Sequence, residues 1–404
     1  MIGKMKNSHY VPKFILKKYS DKICLYNIKT GELKENVNPR NAFVKYGFYS
    51  DETEEKLNIL LEKHFANLLS NKILKCENTI ELSHDELKLV KKFLLVSIIR
   101  SFGSQNLMQS EKLYYDIVAE LSMQQGMSQY EAEQIRPFVE KEIDGETSYD
   151  YWMRTINTIL DSDGTPQSIL EQENKTYPAY RWSTVINAGY LAFWDSDFLK
   201  NEFVVTDVGM TSENEVGWNG VTIQNQKKFN FLLNLRNKIK DKKLLRDIDK
   251  NLAFVQAFHE NFQMFPISAK RMIVLISPFY KFRDMYKDIV SMPSLESLTM
   301  LPNENLFSSN QCKYVLPQND VIAKYHKDDK YIYNIKQLSS QETKYCNALF
   351  LDRINTTLGF SSLNKAVGSI VNYKKITDPP HVARVNYKSL YKIINERYQG
   401  SLQI

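Results

Sequence analysis

The sequence predicts an α+β fold that is rich in helices, with a small N-terminal β-hairpin sheet, a central helical bundle and a second, mixed or antiparallel sheet in the C-terminal half. Three observations support this prediction. Residues 22–37 alternate around a turn, residues 93–99 are apolar on nearly every helical face, and residues 271–278 have the pattern of a buried strand. Glycine (14) and proline (12) are scarce among the 404 residues, which argues against propeller and disordered designs.

A chain of 404 residues exceeds one ordinary hydrophobic core. We therefore expect two units that pack together as one compact body. Residues 1–176 would hold the hairpin, the helical bundle and an acidic helical insert. Residues 177–404 would hold a strand-containing lobe with a basic helix.

The N-terminal region begins with an extended segment, His9 to Pro12, and a short helix after it. A hairpin follows around the turn at Lys29–Glu32, and residues 42–50 offer a third strand. From residue 52 to residue 74, leucines and a phenylalanine recur at helical spacing, which predicts an amphipathic helix.

The central helix is expected between Asp85 and Gln109. Ser83 and Glu86 have the spacing of a capping box, so they predict where the helix starts. Arg100 stands at the end of the apolar run. Because an unpaired buried guanidinium is very costly, Arg100 must find an acidic or carbonyl partner.

The remaining pattern predicts further helices and strands. Helices are expected near residues 110–125, 129–142, 148–162 and 225–263, from Ser340 onward, and at 386–398. Strands are expected at 191–194, 203–206, 271–278, 312–316 and 330–338.

The net charge of +6 is unevenly distributed. Acidic side chains crowd residues 111–150, which predicts helices that cover the core or bind a protein partner. A helix with basic side chains on its outer face is the best candidate for nucleic-acid contacts, through Lys227, Lys228, Arg236, Lys238, Lys242, Lys243 and Arg246. The alternative is that both regions are ordinary solvated helix faces.

The four cysteines lack zinc-ligand spacing, which indicates reduced thiols in a cytosolic protein. The N-terminus lacks the apolar core of a signal peptide, and no apolar stretch is long enough to span a bilayer. We expect a cytoplasmic protein without a membrane partner. No Walker A loop, G-x-G-x-x-G, H-E-x-x-H or G-x-S-x-G motif is present, which disfavours the corresponding chemistries.

An opening His-Tyr-Val-Pro signature at residues 9–12, followed by Phe14, resembles the start of the bacterial family DUF4238. Further segments are similar to the family pattern: the helix with Glu62, the SIIRSF segment with Arg100, RWSTVINAGY, FVVTDVGM with Asp207, LISP at 275–278, and YCNALF with Asn347. Thr206 and residues 208–210 depart from the Ser-Asp-Asn-Pro that the family places around Asp207. The resemblance implies that these polar positions form one site, and it implies no particular activity.

His9, Glu62, Arg100 and Asp207 are the candidate catalytic residues. A histidine suits proton transfer near neutral pH, and an arginine neutralises a phosphate. Glu62 and Asp207 could together hold a divalent cation such as Mg²⁺ or Mn²⁺, and Asn347 could join the cluster. The alternative is a hydrogen-bonded network that only fixes the N-terminus to the core, with Arg100 paired to Glu62 or Asp207.

The leading hypothesis is therefore a phosphodiester-directed hydrolase, a nuclease-like effector of a bacterial defence or toxin system. The alternative is a non-enzymatic component that recognises a protein or a ligand and whose polar cluster is structural. A third possibility is a toxin that acts on a nucleotide or protein substrate.

Overall fold

The computed structural model describes residues 7–104, 146–213, 262–276, 330–376 and 385–398. Twelve strands are found in this part of the chain. They are β1 Asn7–His9, β2 Ile23–Asn27, β3 Leu33–Val37, β4 Val44–Tyr46, β5 Thr79–Ser83, β6 Tyr190–Asp195, β7 Val205–Thr206, β8 Thr211–Glu213, β9 Phe262–Pro266, β10 Arg271–Ile276, β11 Lys330–Gln337 and β12 Thr357–Phe360.

The helices of the described ranges surround these strands. They are α1 Lys13–Leu16, α2 Asp51–Leu57, α3 Lys63–Leu68, α4 His84–Ser104, α5 Ser148–Asp161, α6 Pro166–Leu170, α7 Tyr177–Ala188, α8 Ser340–Asp352, α9 Leu363–Ile376 and α10 Lys388–Arg397, with a 3₁₀ turn at Pro39–Asn41. The π-helical turn Asn58–Glu62 joins α2 to α3, and a second π-helical turn, Leu69–Ile73, extends α3. Together they form one rod that runs from Asp51 to Ile73.

Three sheets organise the strands. A six-stranded sheet has the order β5-β11-β6-β10-β9-β8, a four-stranded sheet has the order β3-β2-β12-β7, and β1 pairs with β4. All of these pairings are antiparallel except that between β11 and β6. The α+β fold with a mixed C-terminal sheet is therefore confirmed. Each of the two larger sheets takes strands from both sides of residue 176, and the division at that residue stays a prediction.

The central helix α4 lies in the main hydrophobic core. Its residues from Phe93 to Ile99 are buried apart from Ser97, and Phe93 stacks on Phe65 with ring centroids 3.8 Å apart. The capping box forms as expected: the Glu86 N–H donates to Ser83 Oγ at 3.2 Å, and the Ser83 N–H donates to the Glu86 carboxylate at 2.8 Å.

Two lysines of α4 bind the carboxyl-terminal ends of neighbouring helices. Lys91 Nζ donates to the carbonyls of Asn187 and Gly189, at 2.8 and 3.1 Å, where α7 ends. Lys92 Nζ donates to the carbonyls of Leu160 and Ser162, at 2.8 and 2.6 Å, where α5 ends. Lysine N–H donors in this position satisfy free carbonyls, so α4 fixes both neighbours.

Several expected elements differ in detail. The third N-terminal strand, β4, pairs with β1 and not with the hairpin, while the hairpin joins β12. The strand expected at 203–206 is hydrogen-bonded as a ladder only at Val205–Thr206. The predicted end of the helix at residues 225–263 is wrong, because Phe262 belongs to β9 and pairs with Ile276 of β10.

Helix α8 begins one residue earlier than expected, because its capping box is formed by Ser339 with Glu342. The helix ends at Asp352, ahead of β12. Strand β5 and helix α9 are not predicted from the sequence, because their own residues show no clear pattern and their packing partners are distant in sequence. No helix in the described ranges is long and apolar enough to cross a membrane.

Candidate functional site

Arg100 lies in the last turns of α4, and only 3% of its surface is exposed. Its Nη2 donates to the Glu62 carboxylate. Its Nε and Nη1 are buried and have no hydrogen-bond partner within the described part of the chain. A buried guanidinium normally uses most of its five N–H donors, so the two free nitrogens leave capacity for a further group.

Aromatic rings form the floor beneath this guanidinium. The Arg100 guanidinium carbon lies 5.5 Å from the centroid of the Tyr49 ring, which stacks on Trp152 at 5.6 Å. Trp152 in turn donates its indole N–H to the Ile99 carbonyl at 2.8 Å and so ties α5 to the end of α4. Burial raises the pKa of Tyr49, so its phenol stays neutral. Its hydroxyl is buried without a partner among the described residues.

Glu62 closes the first π-helical turn, Asn58–Glu62. A π turn inserts an extra residue into an α-helix and changes where the following side chains point, and such turns are frequent at functional sites. Here the turn brings Glu62 to Arg100. The Glu62 side chain is 23% exposed, so it forms the solvent-facing edge of the ion pair.

His9 ends β1 beside the same carboxylate. The backbone of Pro39 and Arg40 and the charge of Glu62 lie close enough to the ring to favour its protonated form. Burial is the largest effect and lowers the pKa of His9 below its ordinary value. The imidazole is therefore neutral at pH 7.

The His9 ring nitrogen Nε2 is buried and has no partner in the described ranges. A proton on this nitrogen would be an unsatisfied buried donor, so we assign the ring proton to Nδ1 and a lone pair to Nε2. We call the set His9, Tyr49, Glu62 and Arg100 the junction cluster. It combines a free basic nitrogen, a carboxylate and a cation with two free donors.

Asp207, the fourth catalytic candidate, has different surroundings. Its carboxylate accepts the N–H groups of Asn355 and Thr357, at 3.1 and 3.2 Å, and so fixes the turn before β12. Burial raises its pKa to about 6, although these backbone N–H groups oppose the rise. Within the described ranges no hydrogen bond or ion pair joins Asp207 to His9, Glu62 or Arg100.

The other predicted site residues are also accounted for. Asn347 is fully buried, where its amide accepts the Val204 N–H at 3.0 Å and donates to the Glu202 carbonyl at 2.7 Å. It therefore holds the segment before β7. The basic residues Lys227, Lys228, Arg236, Lys238, Lys242, Lys243 and Arg246 lie outside the described residues, as does most of the acidic stretch 111–150.

The expected metal site joins Glu62 and Asp207, and both carboxylates already have protein partners, a guanidinium and backbone N–H groups respectively. Among the residues described, no group of three or more His, Cys, Asp or Glu side chains is placed to hold a metal ion. The involvement of a divalent cation stays a prediction.

Sequence reasoning missed Tyr49. The only available signal was its position next to Phe48, three residues before an amphipathic helix, and an aromatic pair of this kind is usually core packing. Its contact with Arg100 is visible only in three dimensions.

The fold and the junction cluster define an α+β protein in which the N-terminal strand meets the central helix at a buried arginine. The chain belongs to the family described as "Protein of unknown function (DUF4238)", whose pattern matches residues 7–362. Comparison with curated proteins finds no match, and neither does comparison with solved structures.

Proposed function

We propose that the junction cluster is the active centre of a hydrolase directed at phosphodiesters. The observation that carries this proposal is that two neighbouring groups lack hydrogen-bond partners. The neutral His9 has a free Nε2 lone pair, and the buried Arg100 has two nitrogens free to donate. The first can accept a proton from an attacking water or hydroxyl, and the second can stabilise negative charge on a phosphoryl oxygen.

Glu62 supports both partners in this mechanism. Its bond to Arg100 orients the guanidinium, and its charge stabilises the imidazolium that forms when His9 takes a proton. Because Glu62 is the exposed member, substrate would approach from its side. The basic side chains between Lys227 and Arg246 are proposed to bind the nucleic-acid backbone, and a divalent cation, Mg²⁺ or Mn²⁺, remains a candidate cofactor.

The direct test compares the purified protein with His9→Asn on single- and double-stranded DNA, on RNA and on a chromogenic phosphodiester, with Mg²⁺, with Mn²⁺ and with chelator. Asparagine keeps an N–H donor near the position of Nδ1 and removes the Nε2 base. We expect the substitution to lower the rate constant by about 10²- to 10⁴-fold. A control variant, His64→Asn, changes an exposed histidine on the same helical rod and should leave the rate unchanged.

The pH profile gives a second readout. Because the pKa of His9 is lowered, the rate should fall only when the pH drops below the usual range of histidine titration. The proposal is abandoned if no substrate is cleaved under any of these conditions, or if His9→Asn cleaves as fast as the wild-type protein.

One feature favours the alternative, a recognition component. An open groove of about 550 Å³ lies between α2 and α5, and its walls include the acidic residues Glu52, Asp150, Asp161, Glu171 and Glu173. Lys56 pairs with Glu52 and Asp161, which leaves a negative surface of the kind that a lysine- and arginine-rich segment would bind.

Under this proposal, a basic peptide binds with an affinity that falls with salt, and Glu171→Lys with Glu173→Lys abolishes that binding. Equal affinity for the variant would rule the groove out.

A further inference from the structure

A small cavity lies beside Arg100. Its volume is about 20 Å³, and its walls come from the His-Tyr-Val-Pro segment (residues 10–12), the turn after β7 (residues 208–209), the end of β9 (residues 265–267) and one face of α4. Four parts of the chain that are distant in sequence therefore meet around a small space. A water molecule needs at least roughly 10–15 Å³, so the cavity has room for one small ligand.

The polar groups of the wall favour a ligand that accepts hydrogen bonds. The side chains that line the cavity include Arg100 and no carboxylate, and they carry oxygen only at Tyr10 and Ser97. The Ser97 hydroxyl already donates to the Phe93 carbonyl at 2.8 Å. The Gly209 N–H donates to the Thr206 carbonyl at 2.9 Å.

Free hydrogen-bonding capacity in this region comes from Arg100. Its side chain is 97% buried, since only 3% is exposed, and its Nε and Nη1 have no partner in the described part of the chain. Leaving such donors unsatisfied is costly, and more so for a charged group. A ligand that accepts hydrogen bonds from both nitrogens removes this cost.

We propose that the cavity is a binding site for a single halide-sized anion, with chloride as the natural occupant. A water molecule bound to Arg100 would also need acceptors for its own two hydrogens, and most of the wall is apolar. A monatomic anion needs donors only, and tolerates contact with apolar groups. Neither His9 nor Glu62 lines the cavity, but Arg100 belongs to both sites, so a bound anion would occupy the donors that the proposed hydrolysis assigns to the phosphoryl oxygen.

The occupant would connect α4, residues 10–12 and residues 208–209. It would sit between the guanidinium on α4 and the backbone of the opening signature, and would hold residues 10–12 against the turn at residues 208–209. Binding in the folded state only stabilises that state by mass action, so melting temperature should rise with chloride concentration.

The test uses bromide and chloride as probes on the full chain. Crystals grown in sodium bromide should show one anomalous peak in the cavity at hydrogen-bond distance from Arg100. In solution, a tenfold increase in sodium chloride at constant ionic strength, balanced with sodium gluconate, should raise the melting temperature by about 1–2 °C, since gluconate is too large for the cavity.

Arg100→Lys is the decisive variant. Lysine keeps a cation beside Glu62 and removes the two free guanidinium donors, so the chloride dependence should disappear. Arg154→Lys is the matched control, because Arg154 pairs with Glu146 outside the cavity and its loss should leave the chloride dependence intact. Wild-type crystals with water but no bromide in the cavity, or an equal chloride effect in Arg100→Lys, would overturn the proposal. If Arg100→Lys does not fold, the bromide map decides alone.

Discussion

The ion pair between Arg100 and Glu62 should be strongly coupled, and a double-mutant cycle can measure this coupling. The cycle combines Arg100→Met, Glu62→Gln and the double variant. Glutamine keeps the size of Glu62 and an acceptor oxygen but removes the charge, so the single variant strands a buried cation. The double variant removes the stranded cation and should recover part of the lost stability.

The exposure of the two side chains sets the expected magnitude. Removing one partner of a fully buried pair costs about 3–5 kcal/mol. Arg100 is 3% exposed but Glu62 is 23% exposed, so water screens one end of the pair. We therefore expect Glu62→Gln to cost about 2–3 kcal/mol and the coupling energy to be about 1.5–3 kcal/mol.

Urea denaturation followed by far-UV circular dichroism gives the free energy of unfolding for each variant. The control cycle uses Lys56→Met and Asp161→Asn, a pair whose side chains are 29% and 41% exposed. That pair should show a coupling of only about 0.2–1 kcal/mol. A coupling for Arg100 and Glu62 within about 0.5 kcal/mol of zero would refute the reasoning, because the two residues would then be energetically independent.

Three further predictions concern buried groups. Burial lowers the pKa of Lys91 to about 7. Between about pH 7 and pH 10 the unfolded chain therefore binds more protons than the folded chain, and the stability that depends on this group rises with pH. Lys91→Met should remove that rise when the free energy of unfolding is measured by urea titration at several pH values. Burial raises the pKa of Asp207 to about 6, so its contribution to stability falls as pH rises from about 4 to 6. Asp207→Asn should remove this trend and cost about 1–3 kcal/mol, because an amide accepts fewer backbone N–H bonds; an unchanged melting temperature would contradict that cost. A Cβ at Gly359 would lie 2.9 Å from the Phe43 ring and from Val205, so Gly359→Ala should cost about 1–3 kcal/mol by calorimetry, and a smaller loss would show that the ring moves aside.

Local chemistry made much of the fold predictable. The capping residues Ser83 and Glu86 fixed the start of the central helix, and the alternating pattern around the Lys29–Glu32 turn indicated the hairpin. Both signals act over a few residues and need no knowledge of the rest of the chain. Strand pairing is different, because β2 pairs with β12 and β5 with β11, and nothing within a short segment specifies such partners.

The candidate site was predictable only in part. The position of Arg100 at the end of an apolar run required a partner, and Glu62 was one of two carboxylates considered for it. The sequence also indicated that Asp207 follows a buried strand, but a strand's end does not specify whether a carboxylate turns toward a crevice or toward backbone N–H groups. Asp207 does the second, and its buried carboxylate fixes the turn at residues 355–357.

The pairing of early strands with late strands has a consequence during synthesis. Glu35 on β3 and Arg397 on α10 form an ion pair across 362 positions, and β5 obtains its neighbour β11 only from the last quarter of the chain. A nascent chain on the ribosome therefore carries exposed strand edges until residues 330–360 have been synthesised. We expect folding to be slow, and chaperones that shield such edges to raise the yield of native protein.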